Sequence, residues 1–144
     1  MKLFTIGFAG KSAEKFFELL GSAGVVRIID TRRHNKSQLA GFTKGQDLKY
    51  FLQKIANIQY SHVIDYAPTA ELLKEYRTKK INWDEYEKKY RDLILTKNLS
   101  NKIKWDEIDK ACLLCSEEFP EKCHRRVLAE YFKTLRPDIE ICHI

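Results

Sequence analysis

The fold is decided by residues 3–30, which read LFTIGFAGKSAEKFFELLGSAGVVRIID. The stretch opens with an apolar run that ends at glycines, and Ser12 then caps a segment whose apolar residues recur at helical spacing. Gly21 and Gly24 end this helix, and residues 25–30 form a β-branched run that is typical of a buried parallel strand. The chain is therefore predicted to open with a βαβ unit.

The alternation of strands and helices continues to the end of the chain. Helical stripes follow Gly45, Thr69, Asn82 and Cys123, and apolar runs that predict strands cover residues 58–63, 111–115 and 139–144. Residues 31–45 are polar and basic without a sustained period, and a loop of this length in a compact domain is usually functional or mobile. We predict a single α/β domain over residues 1–144, with three layers and a mostly parallel sheet flanked by helices in a Rossmann-like arrangement.

Composition restricts the class of protein. With 144 residues, 44% of them hydrophobic and 32% charged, the chain can bury a core that needs neither a structural metal nor disulfides. No apolar run approaches the ~20 residues of a membrane span, and the apolar start of the chain is too short for a secretory signal. We expect a cytoplasmic protein without a membrane partner, whose four cysteines are reduced. A net charge of +6 favours anionic partners.

Three predicted strand ends concentrate the unusual polar residues. In open parallel sheets, ligands bind beyond the carboxyl ends of the strands. The segments that follow these ends are residues 7–11, 30–37 and 115–126. We therefore predict a ligand site at this edge of the sheet, with the following substrate-binding residues: Gly7, Asp30, Arg32, Ser37, Ser116 and Arg125.

Two arginines stand in the first turn of the last predicted helix, where the helix macrodipole disfavours cations. Negative charge should compensate Arg125 and Arg126, and it comes either from Glu117 and Glu118 or from a substrate carboxylate or phosphate. Adjacent helix positions diverge by about 100°, so the two guanidinium groups cannot serve one small anion equally. We expect one arginine to face the site and the other to face the surface or a carboxylate.

The cysteines allow more than one chemistry. Cys112 and Cys115, together with Cys123 and His124, superficially resemble a zinc site. Side chains three apart on a strand point to opposite faces, so Cys112 and Cys115 do not easily share a metal, and we predict no metal. Cys115 and Cys123 flank a seven-residue turn that allows their thiols to approach, which leaves a reversible disulfide or a two-thiol site open.

Three residues are candidates for catalysis: Cys115, Glu117 and His124. Cys115 can act as a nucleophile if a base or positive charge stabilises its thiolate, and His124 with Arg125 can supply both. Nine residues separate Cys115 from Arg125, too many for the cysteine–arginine loop of a phosphatase. Glu117 is the better general acid or base if it is partly buried, and Ser116 can donate to an oxyanion.

The sequence contains only part of the pattern that is typical of a dinucleotide-binding site. Asp30 follows a predicted buried strand and is placed either to hold a ribose hydroxyl or to orient Arg32. Residues 7–10, GFAG, lack the full GxGxxG pattern that marks a nicotinamide site. We predict no cofactor.

Several motifs together resemble one family, the domain-of-unknown-function family 488, nearly end to end. They are TIGFAGKS (5–12), DTR (30–32), SQLAGF (37–42), APT (67–69), WDEY (83–86), and the segment from LCSE (114–117) to CHRR (123–126), which is the most specific. The resemblance implies a small α/β fold and suggests that a set of polar residues acts together: Asp30, Arg32, Ser116, Glu117, His124 and Arg125. The family's activity is not settled, and where it usually reads Asp-Val-Arg this chain has Thr31.

Our first functional hypothesis is an enzyme-like pocket for a small phosphorylated or nucleotide-type anion. In this hypothesis Arg32 and Arg125 bind the charge, Glu117 transfers a proton, and Cys115 or His124 assists.

Two other functions compete with it. One is a nucleic-acid-binding module without catalysis, in which Arg32, Arg33, Lys36 and Lys44 contact phosphates. The other is a structural or regulatory protein whose polar cluster is an internal ion-pair network and which has no pocket.

Overall fold

The computed structural model describes residues 1–36 and 41–144. Strands and helices alternate along these residues except that two helices separate the third and fourth strands, in the following order: β1 (Lys2–Gly7), α1 (Ala13–Ala23), β2 (Arg27–Asp30), α2 (Gly45–Phe51), β3 (Gln59–His62), α3 (Ala70–Arg77), α4 (Trp83–Thr96), β4 (Ala111–Cys115), α5 (His124–Leu135) and β5 (Glu140–His143). A π-helical turn over Leu52–Ala56 extends α2.

The strands form one sheet in the order β3-β2-β4-β1-β5, and every pair is parallel. The predicted α/β class is confirmed, and the sheet is parallel throughout rather than mostly parallel. β4 lies between β1 and β2, with Gly7 level with Cys115 and Asp30 level with Leu114. The carboxyl ends of these three strands therefore meet at one edge.

Helices cover both faces of the sheet. On one face, Phe16 and Leu20 of α1 and Leu48 of α2 pack with Phe4 and Cys112 of the strands. The other face carries α3, α4 and α5, whose buried residues pack against alternate strand positions such as Ala111 and Leu113. None of the helices in the described ranges combines the length and apolar character that a membrane crossing requires.

The helix boundaries follow from local hydrogen bonding. The Ser12 hydroxyl accepts a hydrogen bond from the Lys15 backbone N–H at 3.1 Å and starts α1, as its sequence position predicts. Gly24, with φ of 73°, ends this helix, whereas Gly21 lies within it. The Val25 backbone N–H closes the helix by donating to the Leu20 carbonyl at 3.1 Å, so β2 begins at Arg27, later than the apolar run predicts.

Candidate functional site

A cleft of about 550 Å³ opens at the carboxyl ends of β1, β2 and β4. The residues that line it include Cys115, Ser116, Glu117, Cys123 and His124. Cys115 is the last residue of β4, and α5 begins at His124 directly after Cys123. This strand-to-helix junction therefore brings two thiols and an imidazole to the cleft.

These three residues, Cys115, Cys123 and His124, form what we call the thiol–imidazole cluster. The Cys115 Sγ and His124 Nδ1 atoms are 3.6 Å apart, and one ligand atom from each residue lies within 4.8 Å of the other two. The three residues are only 3%, 2% and 6% exposed, so their polar atoms meet solvent almost entirely through the cleft. Cys112 packs on the opposite face of the sheet, as strand alternation predicts.

Thr31 fixes the orientation of the His124 ring. The ring Nε2 lies 3.1 Å from the Thr31 carbonyl oxygen and 3.0 Å from the Thr31 hydroxyl. That hydroxyl donates its own proton to the Leu114 carbonyl at 2.8 Å, so both Thr31 oxygens face Nε2 as acceptors. Nε2 therefore donates a proton to Thr31, and Nδ1 faces Cys115.

The cluster shifts the acidity of all three of its members. A hydrogen bond from the Cys123 thiol and the charge of His124 hold the pKa of Cys115 well below its usual range, against the effect of burial. Burial opposes protonation of His124, yet the neighbouring Cys115 sulfur raises its pKa. Burial and the Cys115 charge raise the pKa of Cys123. Cys115 is therefore the sulfur that carries negative charge most readily.

The Asp30 carboxylate is used within the protein. It is fully buried and accepts hydrogen bonds from Arg32 Nε at 2.9 Å, Arg32 Nη2 at 2.7 Å and the Tyr60 hydroxyl at 2.7 Å. Arg32 also donates to the Thr43 carbonyl at 2.7 Å and lies over the Phe8 ring. Burial opposes the charge on Arg32, but the bonds to Asp30 raise its pKa. Of the two roles considered for Asp30, these contacts match the orientation of Arg32, which lines the cleft.

Gly7 and Arg125 shape the turn that follows β4. Arg125 is 1% exposed, and its Nη1 and Nη2 donate to the carbonyls of Glu117 at 2.6 Å and Glu118 at 3.1 Å, so the backbone of the two glutamates binds it rather than their carboxylates. A Cβ atom on Gly7 would lie 1.6 Å from the same Glu117 carbonyl oxygen. Both residues act on the turn backbone, and neither is among the described residues that line the cleft.

Arg126 has carboxylate partners. Its Nη1 donates to Glu130 at 2.7 Å and its Nη2 to Glu87 at 2.8 Å, and its guanidinium lies over the Trp83 ring. Acids of α4 and α5 therefore compensate Arg126, whereas the described ion pairs include none to Arg125. Since neither arginine lines the cleft, a bound anion would meet other cations.

Those cations are Arg33, Arg77 and Lys122, which line the cleft. In the described part of the chain none of the three takes part in an ion pair, although Arg33 Nε donates to the Pro68 carbonyl at 2.6 Å. Glu117 is the one carboxylate among the described lining residues. Its side chain is exposed, so the partial burial on which its role as general acid or base depends is not seen.

Aromatic rings form part of the cleft wall. Phe8, Tyr76 and Trp83 are half-buried and line the cleft. The buried Tyr86 also lines it, and its ring centroid is 4.8 Å from that of Tyr76 and 5.2 Å from that of Trp83. Tyr86 and Tyr90, further along α4, are buried and belong to the core. Trp83 reaches the cleft because it is the first residue of α4, at the helix end nearest the opening.

The residues selected from the sequence fall into three groups. Those that line the cleft are Arg32, Cys115, Ser116, Glu117 and His124, those that lie behind its wall are Gly7, Asp30 and Arg125, and Ser37 lies outside the described residues. Sequence reasoning missed Thr31, Tyr60, Arg77 and Lys122 as parts of the site. Their residue types are ordinary for a turn, a strand and a helix end, so the sequence gives no signal for them. The pairing of β2 with β3 and β4 brings Thr31 and Tyr60 to the site, whereas Arg77 ends α3 and Lys122 lies in the turn before α5.

The fold and the site together define a small Rossmann-like α/β protein with a thiol–imidazole cluster in a cleft lined by cations. Residues 12–132 match the model of a family described as "Domain of unknown function DUF488". Because the match covers most of the chain, the chain belongs to this family, as its motifs indicate. Searches of curated proteins and of solved structures return no match to the chain.

Proposed function

We propose that this chain is an enzyme whose cleft holds a small phosphorylated or nucleotide-type anion against the thiol–imidazole cluster. One observation carries the proposal: a concave site lined by cations ends on a buried group of titratable side chains. Perturbed titratable groups at the end of a well-formed pocket are typical of active sites.

The charge of the cleft favours an anion. Arg33, Arg77 and Lys122 face the opening without carboxylate partners among the described residues, and Glu117 is the single acid that offsets them there. The Arg32 charge is balanced by Asp30, so Arg32 contributes hydrogen-bonding geometry rather than net charge. A phosphate or carboxylate entering the cleft exchanges water for charge-assisted hydrogen bonds with these side chains.

The aromatic part of the wall favours a substrate with a planar ring. Phe8, Tyr76 and Trp83 are half-buried at the cleft, and a nucleobase can stack on such rings while its phosphate meets the cations. A simple inorganic anion would contact the cations of the cleft but not its aromatic rings. The combination therefore supports a nucleotide-type ligand.

The reacting groups are those nearest the end of the cleft. Cys115 and His124 are in contact there, and Ser116 offers a hydroxyl donor. Glu117 also lines the cleft, and because its side chain is exposed, its role in moving a proton requires that the bound ligand cover it. Arg125 supports this end from behind, because it holds the turn that carries Ser116 and Glu117.

Calorimetric titration tests the binding part of the proposal. We expect a nucleoside monophosphate to bind more tightly than inorganic phosphate, and the uncharged nucleoside to bind more weakly than its monophosphate. Arg77→Ala and Lys122→Ala should each weaken the binding of the monophosphate by up to about fivefold, since an exposed charge contact contributes about 0.2–1 kcal/mol.

Lys104→Ala is the matched control for those variants. Lys104 is an exposed lysine that lies near Glu107, which also pairs with Arg27 at the start of β2, so it stands at the opposite edge of the sheet. It should leave binding unchanged. Absence of binding for every anion tested, or an equal effect of Lys104→Ala, would contradict the proposal.

A second candidate function is nucleic-acid binding without catalysis. A separate cavity of about 420 Å³ is lined by Lys36, Lys44 and Lys49 beside Tyr60, which supports phosphate contacts on that surface. Arg32 no longer contributes, because Asp30 neutralises it. This function requires that affinity for DNA or RNA fall steeply with salt through counterion release, and a weak or salt-independent signal would contradict it.

A further inference from the structure

We propose that Cys115, Cys123 and His124 bind one Zn²⁺ ion in a three-ligand site whose fourth position opens into the cleft. The spacing of Cys112 and Cys115 argues against a metal shared by those two residues, and Cys112 indeed packs on the other face of the sheet. The argument does not extend to the other three residues, which the junction of β4 and α5 brings together without Cys112.

The ligand types and their separations suit zinc. Zn²⁺ prefers cysteine sulfur and histidine nitrogen in tetrahedral geometry, whereas Mg²⁺ and Ca²⁺ prefer oxygen. Bond lengths of about 2.3 Å to sulfur and about 2.0–2.1 Å to nitrogen place neighbouring tetrahedral ligands about 3.6 Å apart for a sulfur–nitrogen pair. Cys115 Sγ and His124 Nδ1 are 3.6 Å apart. All three ligand atoms lie within 4.8 Å of one another, so small side-chain rotations complete the arrangement.

The surroundings of His124 match those of a metal-binding histidine. Such a histidine almost always donates its second ring N–H to a carbonyl or carboxylate, which fixes the ring and leaves the other nitrogen for the metal. Nε2 of His124 faces the Thr31 carbonyl at 3.1 Å, while Nδ1 points to the cluster. This observation is independent of the proximity of the two sulfurs, and it indicates which nitrogen binds the metal.

The site is closed on its protein side and open on its cleft side. The three residues are nearly buried, and each of them lines the cleft. Three protein ligands with one open position are typical of catalytic zinc sites, whereas structural zinc sites have four protein ligands. The open position takes a water molecule or an oxygen atom of the anion that the cleft holds.

Charge is balanced when the ion is bound. Two thiolates and a neutral imidazole offset the two positive charges of Zn²⁺, so no net charge is added to a pocket that already contains Arg33 and Lys122. The inference rests on the proposed function of the same cleft and changes its reactive end, because Cys115 and His124 then hold a Lewis acid instead of reacting themselves. The ligands come from the protein alone. Anion binding and metal binding can therefore fail separately.

Spectroscopic metal titration tests the site. The full chain is stripped with a chelator under reducing conditions and titrated with Co²⁺, and Zn²⁺ is then added. We expect one Co²⁺ per chain, with the visible bands of tetrahedral, thiolate-bound Co²⁺, and the loss of those bands when Zn²⁺ replaces it. If the spectrum shows only hydrated Co²⁺, the proposal is wrong.

Two serine variants locate the metal. Cys123→Ser should weaken Co²⁺ binding by more than about 100-fold, beyond the ~10–100-fold effect of losing an outer-shell partner. Cys142→Ser is the control, because Cys142 lies on β5 outside the cluster. Far-UV circular dichroism checks that both variants fold. An unchanged Co²⁺ spectrum in Cys123→Ser would overturn the assignment.

A further test uses the unmodified chain, so its result does not depend on whether a variant folds. The stripped protein is alkylated with iodoacetamide in the presence and absence of Zn²⁺, and the labelled cysteines are mapped by mass spectrometry. Zn²⁺ should slow labelling of Cys115 and Cys123 but leave the rate at Cys142 unchanged, and equal labelling with and without Zn²⁺ contradicts the proposal. Titration of the stripped protein with a nucleoside monophosphate then reports anion binding on its own.

Discussion

Asp30→Asn should destabilise the protein far more than the loss of any surface ion pair. Asp30 is fully buried and accepts hydrogen bonds from Arg32 and Tyr60, and Arg32 is itself only 7% exposed. The neutral amide leaves a buried guanidinium without its counter-charge and turns an NH₂ group toward donors. Removing one member of a buried pair costs about 3–5 kcal/mol, a large part of a total free energy of unfolding of about 5–15 kcal/mol. At about 3 °C per kcal/mol for a chain of this size, Tm should fall by roughly 10–15 °C.

Urea unfolding followed by circular dichroism measures the effect. Asp65→Asn is the control, because Asp65 pairs with Lys102 at 3.2 Å while both side chains are about half exposed, and its loss should cost less than about 1 kcal/mol. The double variant Asp30→Asn with Arg32→Met removes both buried charges and should recover part of the lost stability. If Asp30→Asn costs no more than Asp65→Asn, the buried pair of Asp30 and Arg32 does not stabilise the fold.

Three further outcomes follow from the site. Gly7→Ala should lower the free energy of unfolding by at least about 1–3 kcal/mol, because the new Cβ would lie 1.6 Å from the Glu117 carbonyl oxygen. Gly21→Ala, at an exposed position of α1, should raise the free energy of unfolding by about 0.5–1 kcal/mol. Urea melts that fail to separate the two variants would contradict this expectation. Glu117→Gln removes the one carboxylate among the described cleft residues and should tighten calorimetric binding of a nucleoside monophosphate by up to about fivefold, and weaker binding would refute an electrostatic role for the cleft. Thr31→Val keeps the carbonyl that faces His124 and should change Co²⁺ affinity by less than about tenfold, so a larger loss would mean that the hydroxyl orients the ring.

Much of the fold is readable from the sequence because its signals are local. Ser12 and Gly24 mark the ends of α1 through their own side chain and backbone, and the apolar run at 111–115 coincides with β4. The parallel sheet follows from the alternation of strands and helices. The boundary of an element differs from the predicted one where a neighbouring element forms a hydrogen bond with its backbone. For example, the Val25 N–H donates to the end of α1, and β2 begins only at Arg27.

The candidate site is only partly predictable, because its groups come from distant parts of the chain. Cys115 and His124 could be selected from their own motif, but the ring orientation depends on Thr31, which the central position of β4 brings into contact. The groups that bind the Arg125 guanidinium also depend on tertiary structure. A charge argument predicts an anion for it, whereas two backbone carbonyls of a tight turn bind the guanidinium.

The central position of β4 also determines when the cleft can exist. Residues 31–110 separate β2 from β4, yet β4 lies between β1 and β2 and hydrogen-bonds to both. During synthesis on the ribosome, the first two strands emerge long before the strand that joins them, so their edges remain unpaired and prone to association with other chains. Translation products that stop before residue 111 would lack the middle of the sheet as well as both sulfurs of the cluster. The complete site is therefore assembled late in biosynthesis, and incomplete chains should lack the cleft and be prone to aggregation.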